Sequence, residues 1–254
     1  MIPRRRAIQL FLAVTSTAAV AVACGQSPRP TSQGGSGEGG EGGEGGEVSG
    51  EDPISYAAVL GLMKGHLLVA RELMELKDYP AAEKHIGHPV EELYGDLEPA
   101  LSQYGAPGFK QQLNTLLDLI QSAPTLPQTE AAFSAAEEGI DRALAALPQA
   151  KRSDLAFVVA VIRQLLESAS SEYAASITEG RFAETIEYQD SRGFVRYADQ
   201  LRQGIAPALQ ASDPALSRRL SGAMAALLPV WPTTMPPEQP IKTAQQVQAL
   251  IQSI

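Results

Sequence analysis

The stretch from His85 to Asp96, HIGHPVEELYGD, holds the densest group of side chains in this chain that could do chemistry. The chain has three histidines, and two of them, His85 and His88, stand three positions apart here. His88 and Glu91 also form an HxxE pattern, which places an imidazole and a carboxylate close together on one helical turn. The third histidine, His66, lies one predicted helix earlier. Imidazoles and carboxylates at helical spacing predict a metal site.

Three further carboxylates extend this set of candidate ligands. On a helical wheel Glu92 shares one edge of the predicted helix with His85 and His88. In the second half of the chain, Glu187 and Asp190 stand three residues apart, and Glu187 is predicted to lie on an apolar face, where a carboxylate needs a partner or stays protonated. Ion pairing with a nearby arginine, Arg192 or Arg196, would also explain these two acids. The candidate metal ligands are His66, His85, His88, Glu91, Glu92, Glu187 and Asp190.

The residue types indicate which metal such a site would hold. Imidazole and carboxylate ligands inside a helical bundle are typical of iron and related divalent ions. The chain has one cysteine, Cys24, so a thiolate site for a soft metal is disfavoured. The structural alternative stays open, because a histidine on a mostly apolar face is usually a hydrogen-bonded core residue.

The first 24 residues have the pattern of an export signal. Three arginines at positions 4–6 precede an apolar run from Ala7 to Ala23, and small residues follow, which together predict a secretory signal peptide over residues 1–23. Cys24 stands at the expected cleavage point and resembles the lipidated cysteine of a bacterial lipobox, although Ala21 occupies a position where leucine is usual. A retained membrane helix is the alternative for this segment. The arginines fit a general or a twin-arginine export route.

The next segment, residues 24–51, is rich in glycine and glutamate and has almost nothing to bury. Such a composition predicts a disordered tether between a lipid anchor and a folded domain. The formal net charge of the chain is −9, and residues 1–23 hold three arginines and no acidic residue, so the mature protein would be more acidic still. An acidic domain argues against nucleic acid as a partner.

From Asp52 onward the pattern predicts an all-α fold. Apolar residues recur at the spacing of one helix face, and alternation typical of strands is not found. Gly87-His88-Pro89 predicts a kink or restart, with Pro89 as the first residue of a new helix and His88 near its cap. Trp231 is expected to pack as a plug in a proline-rich loop. The predicted helices begin at Asp52-Pro53 and then cover about 79–104, 109–122, 128–147, a stretch from Ser153-Asp154 through Tyr173, 182–209, 214–228 and Thr243 to Ile254.

The order of these helices suggests an internal duplication. Each half reads long helix, long helix, short helix and final helix, which predicts two related four-helix-bundle-like units over 52–149 and 150–254. If the halves pack about a pseudo-twofold axis, the region of His85 corresponds to that of Glu187. Histidines from one unit and carboxylates from the other would then converge.

The segment from His88 to Asp96 resembles the His-x-x-Glu region of the imelysin-like family. Those proteins are exported bacterial proteins, often lipoproteins, with two related all-helical halves, and members are associated with iron uptake, although the family was first classed with peptidases. The resemblance implies that His88 and Glu91 are metal ligands. Two positions depart from the family pattern. Ile86 stands where the family has glycine, and Gly95, which corresponds to the glycine that follows the motif, lies about one residue earlier than in the family.

These observations predict a lipid-anchored protein on the periplasmic face of a bacterial membrane. It would bind a divalent metal, iron in the first place, for uptake or hand-off, and a metal-transport or membrane-complex protein would be its partner. The alternative is a structural or adaptor lipoprotein without a metal site. A metal-dependent hydrolase is a third, weaker hypothesis, because the GxSxG, HExxH, P-loop and GxGxxG patterns are missing from the sequence, which therefore offers no catalytic residue.

Overall fold

Ten α-helices make up most of residues 52–254, the part of the chain that the computed structural model describes. A π-helical segment, Pro89–Leu93, joins α2 to α3, and a 3-10 turn, Leu228–Val230, follows α9. The predicted all-α class is therefore confirmed. The predicted signal peptide, Cys24 and the tether lie outside the described residues. The helices are α1 Pro53–Glu75, α2 Tyr79–His88, α3 Tyr94–Gln103, α4 Lys110–Ser122, α5 Pro127–Ala145, α6 Gln149–Arg152, α7 Leu155–Ala175, α8 Thr185–Ser212, α9 Pro214–Leu227 and α10 Ala244–Gln252.

Several helices begin where the sequence predicts, because their start signals are local. The side chains of Asp52, Asp154 and Asp213 accept hydrogen bonds from backbone N–H groups of the first turns of α1, α7 and α9. Thr243 and Gln246 form a reciprocal capping box at the start of α10. These caps satisfy N–H groups that have no partner inside the helix.

The predicted kink or restart at Gly87-His88-Pro89 corresponds to a change of helix type, because α2 ends at His88 and a π-helical segment begins at Pro89 without a break in the helical backbone. His88 has φ −53° and ψ −53°, which are helical values and not those of a cap. Proline has no N–H and its ring crowds the preceding turn, so an α-helical register is unfavourable here. The chain widens into a π-helical turn instead, and the Tyr94 N–H bonds to the Pro89 carbonyl five residues back. His85 and His88 consequently lie on one uninterrupted helical segment.

A short antiparallel β-hairpin was not predicted. β1, Ile177–Thr178, pairs with β2, Arg181–Phe182, and Ile177 lies opposite Phe182. Its turn residues Glu179 and Gly180 have φ of 52° and 76°, the left-handed values that a two-residue hairpin turn needs. The hairpin delays the start of α8 from the predicted 182 to Thr185.

Helix α1 lies at the centre of the core. It packs against α8, α7, α2 and α5, and its apolar residues are buried on most sides. Within the described residues it is the one helix long and apolar enough to cross a membrane by length and composition. However, 72% of its apolar 18-residue stretch is buried inside the protein. Its apolar character is therefore explained by packing within the domain.

Two glycines let α1 and α8 cross at very short range. A Cβ on Gly193 would lie 2.4 Å from the backbone oxygen of Gly65, and a Cβ on Gly65 would lie 2.6 Å from the ring of Phe194. Any side chain at either position would push the two helices apart. The residue after Gly65 is His66, so this crossing brings His66 against α8.

The described residues belong to one compact unit. The short helix α6 connects α5 to α7 near the predicted boundary between residues 149 and 150. The two-unit division and the internal duplication stay predictions. Trp231, in the loop after the 3-10 turn, is 3% exposed, which confirms that it is packed into the core.

Candidate metal centre

The three histidines converge on one carboxylate, Asp190. Its Oδ1 lies 2.9 Å from Nδ1 of His66 and 2.7 Å from Nδ1 of His85. Its Oδ2 lies 3.5 Å from Nδ1 of His88. The structure thus brings together four of the seven predicted ligands, and each imidazole presents the same nitrogen to the carboxylate.

Three helices supply these four side chains. His66 comes from α1, His85 and His88 from successive turns at the end of α2, and Asp190 from the first third of α8. The pairing of histidines on α2 with a carboxylate on α8 is the convergence that the sequence suggested. Phe194, one turn after Asp190, packs edge-on against the His66 ring with centroids 5.1 Å apart and supports its orientation.

The cluster is buried, with one edge toward solvent. His66 and His85 are fully buried and Asp190 is 1% exposed. The side chain of His88 is 11% exposed, which makes it the most accessible of the four. An ion that enters or leaves this cluster would therefore pass His88.

The geometry is close to that of a metal site. The imidazole rings stand 5.6–6.1 Å apart between centroids. One donor atom each from His66, His85 and Asp190 lie within 4.8 Å of one another. Donors around one transition-metal ion, at bonds of about 2.1 Å, are typically about 3–4 Å apart, so small side-chain movements would complete coordination. Three imidazole nitrogens and a carboxylate are donors that suit iron, zinc and similar ions.

The charges in the cluster are mutually dependent. Burial by itself would raise the pKa of Asp190, but the charges and hydrogen bonds of His66 and His85 hold that pKa well below its ordinary value. Burial would lower the pKa of His88, but the hydrogen bond and charge of Asp190 outweigh this effect and raise it. Asp190 is therefore an ionised carboxylate in a buried place, and it requires positive charge beside it.

Gln189 is a member of this cluster that sequence reasoning missed. Its Oε1 lies 2.8 Å from Nε2 of His85, on the opposite side of the ring from Asp190. The Gln189 amide nitrogen in turn donates to Sδ of Met235 at 3.7 Å. Neither residue belongs to a ligand motif, and only their neighbourhood in the fold identifies them.

The arginines that offered another explanation for Asp190 bond elsewhere. Nε of Arg192 donates to Glu72 on α1 at 2.8 Å, and Arg196 lies 3.1 Å from the same carboxylate. Thr234 adds a third donor to Glu72 at 2.7 Å. The partners of Asp190 are accordingly histidines, and Glu72 holds α1, α8 and the loop after α9 together beside the site.

The other three predicted ligands are less buried than Asp190. Glu91, on the π-helical segment, is exposed, whereas Glu92 is half-buried and its charge raises the pKa of His88. Glu187 is half-buried one turn before Asp190, so Asp190 is the more deeply buried of these two predicted ligands. Of the two residues of the HxxE pattern, His88 therefore belongs to the cluster, whereas Glu91 faces solvent.

A comparison with protein families matches the C-terminal part of the chain. Residues 148–254 match the family model described as iron permease-associated 4-helix bundle domain. The four longer helices of this stretch, α7 to α10, pack in the order α7–α8–α9–α10 with α10 back against α7. No curated protein and no solved structure matches the chain, and the imelysin-like resemblance stays a prediction. The matched region contributes Asp190 and Gln189 to the cluster, and the three histidines precede it.

Proposed function

We propose that this protein binds a divalent metal ion, iron in the first place, for uptake or hand-off at a bacterial membrane. The observation that carries the proposal is the convergence of three imidazoles on one buried carboxylate, Asp190. Hydrogen bonds to a buried carboxylate can come from any donor, such as a backbone N–H, a hydroxyl or an arginine. Here three histidines from two helices each face it with Nδ1, so three nitrogens of the kind that binds divalent metals meet at one carboxylate.

The four side chains would have different roles in binding the ion. His66, His85 and Asp190 are the fully enclosed donors, and they would hold the ion away from water. His88, at the accessible edge, would complete the coordination and be the first contact for an ion that arrives from outside. The positive charge of the ion would replace that of the protons that now accompany Asp190.

Two independent observations support iron as the cargo. Nitrogen and carboxylate oxygen donors suit iron(II), and the described residues 52–254 contain no thiolate that would favour a softer ion. The family model that matches residues 148–254 carries iron permease association in its description. A lipid anchor at Cys24, on the periplasmic side, would keep such a protein beside a membrane transporter, its expected partner.

The test is metal content of residues 52–254, purified without an affinity tag and loaded with iron, zinc and copper in turn. We expect about one equivalent of metal in the wild type and none in the double variant His85→Ala/His88→Ala. Lys84→Ala, an exposed position on the same helix, is the matched control and should keep the metal.

A second outcome would support the adaptor alternative. If the wild type stays empty and the double variant is only less stable, the histidines are packing residues and metal binding at this site is excluded. An adaptor would then need an exposed apolar surface for its partner, and the exposed side chains Leu76, Leu126 and Ile241 would be the first to replace.

A further inference from the structure

A chain of three side chains runs from the candidate metal centre to the surface. Nε2 of His85 lies 2.8 Å from Oε1 of Gln189, and Nε2 of Gln189 lies 3.7 Å from Sδ of Met235. His85 and Gln189 are buried, whereas Met235 is 47% exposed. The order of donors and acceptors along this chain decides which nitrogen of His85 can meet a metal.

The thioether of Met235 fixes the orientation of the Gln189 amide. A thioether sulfur carries no hydrogen and can only accept. The group that faces it must therefore be the amide NH₂, which leaves the amide oxygen toward His85. An amide turned the other way would place its NH₂ against His85 and its oxygen against sulfur, two acceptors in contact.

The orientation of Gln189 in turn fixes the proton on His85. A carbonyl oxygen only accepts, so Nε2 of His85 must carry hydrogen and donate it. Before a metal binds, Nδ1 also carries hydrogen, because it lies 2.7 Å from Oδ1 of Asp190, which only accepts. A metal that binds beside Asp190 would displace this hydrogen, so Nδ1 is the nitrogen available to it. With the opposite assignment, Nδ1 would keep its proton and the only lone pair would point away from the other ligands.

We propose that Gln189, oriented by Met235, is the positioning residue that keeps a hydrogen on Nε2 of His85 and so makes Nδ1 its metal-ligating atom. The inference rests on the proposed function, because it concerns the same site. Outer partners of this kind orient a ligating histidine, and their loss typically weakens metal binding roughly 10–100-fold.

Three variants of the full-length chain separate this role from simple packing. Gln189→Leu removes the acceptor and should weaken zinc binding roughly 10–100-fold. Gln189→Glu restores an acceptor for the Nε2–H and should bind zinc at least ten times more tightly than Gln189→Leu. A residue that only fills space would show the reverse order, because a buried carboxylate destabilises the fold more than leucine does. Met235→Leu changes a half-exposed residue and removes the sulfur acceptor, and it should weaken binding measurably but by less than Gln189→Leu.

The hydrogen on Nε2 of His85 can itself be observed without any metal. The chain has three histidines, so selective ¹⁵N-histidine labelling gives three ring systems. We expect a slowly exchanging Nε2–H on His85 in the wild type that is lost in Gln189→Leu, and coordination through Nδ1 after zinc is added. An unprotonated Nε2 in the wild type, or equal zinc affinity in all variants, would overturn the role of Gln189, and wild-type affinity in Met235→Leu would overturn that of Met235.

The two proposals fail in different ways. If the wild type takes up no zinc and no iron while the Nε2–H of His85 is present and depends on Gln189, the proposed function fails and the positioning of His85 stands. If zinc binds normally but Nε2 is the coordinating atom, metal binding stands and the positioning role is wrong.

Discussion

At the scale of single residues, Asp190 is what distinguishes this cluster from three packed histidines. It is 1% exposed, and its pKa is held well below the ordinary value by His66 and His85 after burial has acted to raise it. An ionised carboxylate in the core is costly unless cations stand beside it. Protons on the histidines or a metal ion can supply that charge, so metal binding at this site would be coupled to loss of protons from the histidines.

Removal of the charge on Asp190 tests this directly. Asp190→Asn keeps the size of the side chain but removes the negative charge, so we expect metal content to fall below one tenth of the wild-type value. Without metal, the loss of the ion pair with buried histidines should lower stability by roughly 3–5 kcal/mol. Metal analysis and chemical unfolding measure the two effects.

The control for this variant lies on the same helix. Asp199 bonds to Arg202 and Gln203 and lies away from the histidines, so Asp199→Asn should keep the metal. Retention of metal by Asp190→Asn would contradict the assignment of Asp190 as a ligand.

The raised pKa of His88 predicts how binding depends on pH. Burial lowers this pKa, but Asp190 and the charge of Glu92 outweigh burial and the repulsion from His66, so His88 keeps its proton above the ordinary value of 6.5. A metal must displace that proton, and affinity should therefore rise with pH until His88 has titrated. Zinc competition titrations from about pH 5 to about pH 9 would show this rise, whereas a flat profile would exclude His88 as a ligand.

The metal-free fold should have the opposite dependence. The folded pKa of His88 is raised, so its contribution to stability is complete below its unfolded pKa and is lost as pH rises through the folded value. The folded pKa of Asp190 is lowered, so its contribution is present above the unfolded value of 3.8 and is lost as pH falls through the folded one. The midpoint temperature of unfolding without metal should therefore be highest in the acidic range, between the pH at which Asp190 titrates and the pH at which His88 titrates.

At the scale of elements, the close crossing of α1 and α8 places half of the site. The backbone of Gly65 touches α8 at Gly193, and His66 and Asp190 are within one turn of that point. With larger residues the helices would separate, and the 2.9 Å contact between His66 and Asp190 would be lost. The crossing is thus a requirement of the site as well as of the core.

A glycine-to-alanine pair tests the crossing within one helix. A Cβ at Gly193 would lie 2.4 Å from a backbone oxygen, so Gly193→Ala should destabilise the fold by about 1–3 kcal/mol and reduce metal content. Gly204, also in α8, has open space around its Cβ position, and Gly204→Ala should stabilise by roughly 0.5–1 kcal/mol. Chemical unfolding of both variants measures the difference, and equal effects would show that the crossing tolerates a side chain.

The helices were predictable from sequence where their signals are local. Asp52, Asp154 and Asp213 cap helices that begin close to their predicted starts, because a cap involves only the next two or three residues. The π-helical turn at Pro89 was not predictable, because tertiary packing decides whether a proline breaks a helix or widens it. The β-hairpin was missed since its strands have two residues each, too few for a periodic pattern.

The site was predictable in its residue types but not in its geometry. The clustering of His85 and His88 with a carboxylate from the second half could be inferred, because ligands of one kind at helical spacing are visible in the sequence. Periodicity places Glu187 and Asp190 on about the same face of one helix, and it does not reveal that Asp190 is buried whereas Glu187 is half-buried. Gln189 acts through a contact with His85 that is 104 positions away in the chain, and no local pattern reveals it.

At the scale of the whole molecule, the site joins the two parts of the chain. The three histidines lie before residue 89, whereas Asp190 and Gln189 lie in the stretch 148–254 that matches the iron permease-associated family model. Neither part contains all four side chains of the cluster. A metal in the site would therefore act as a crosslink between α1, α2 and α8.

This arrangement predicts that metal stabilises residues 52–254 as one body. At a free concentration about 100 times the dissociation constant, a bound ion should add about 2.7 kcal/mol to the free energy of unfolding. The unfolding transition should shift as a whole, because the ligands come from both parts. Calorimetry with and without zinc would reveal a second, unshifted transition if the parts unfold independently.

The C-terminal stretch alone provides the matched control. A fragment of residues 148–254 contains none of the three histidines, so it should bind no metal at this site even if it folds. Stoichiometric binding by the fragment would place the metal elsewhere in the matched region.

The glycine crossing also has a kinetic consequence. α1 and α8 are fastened at Gly65–Gly193 and again by the ion pair of Glu72 with Arg192, so His66 and Asp190 cannot separate without loss of both contacts. The other two donors sit together at the end of α2, next to the π-helical turn. A small displacement of that end would withdraw both at once, and an acceptor could then occupy two adjacent coordination positions before the ion leaves. Release would be a ligand exchange whose rate depends on how readily the π-helical turn rearranges.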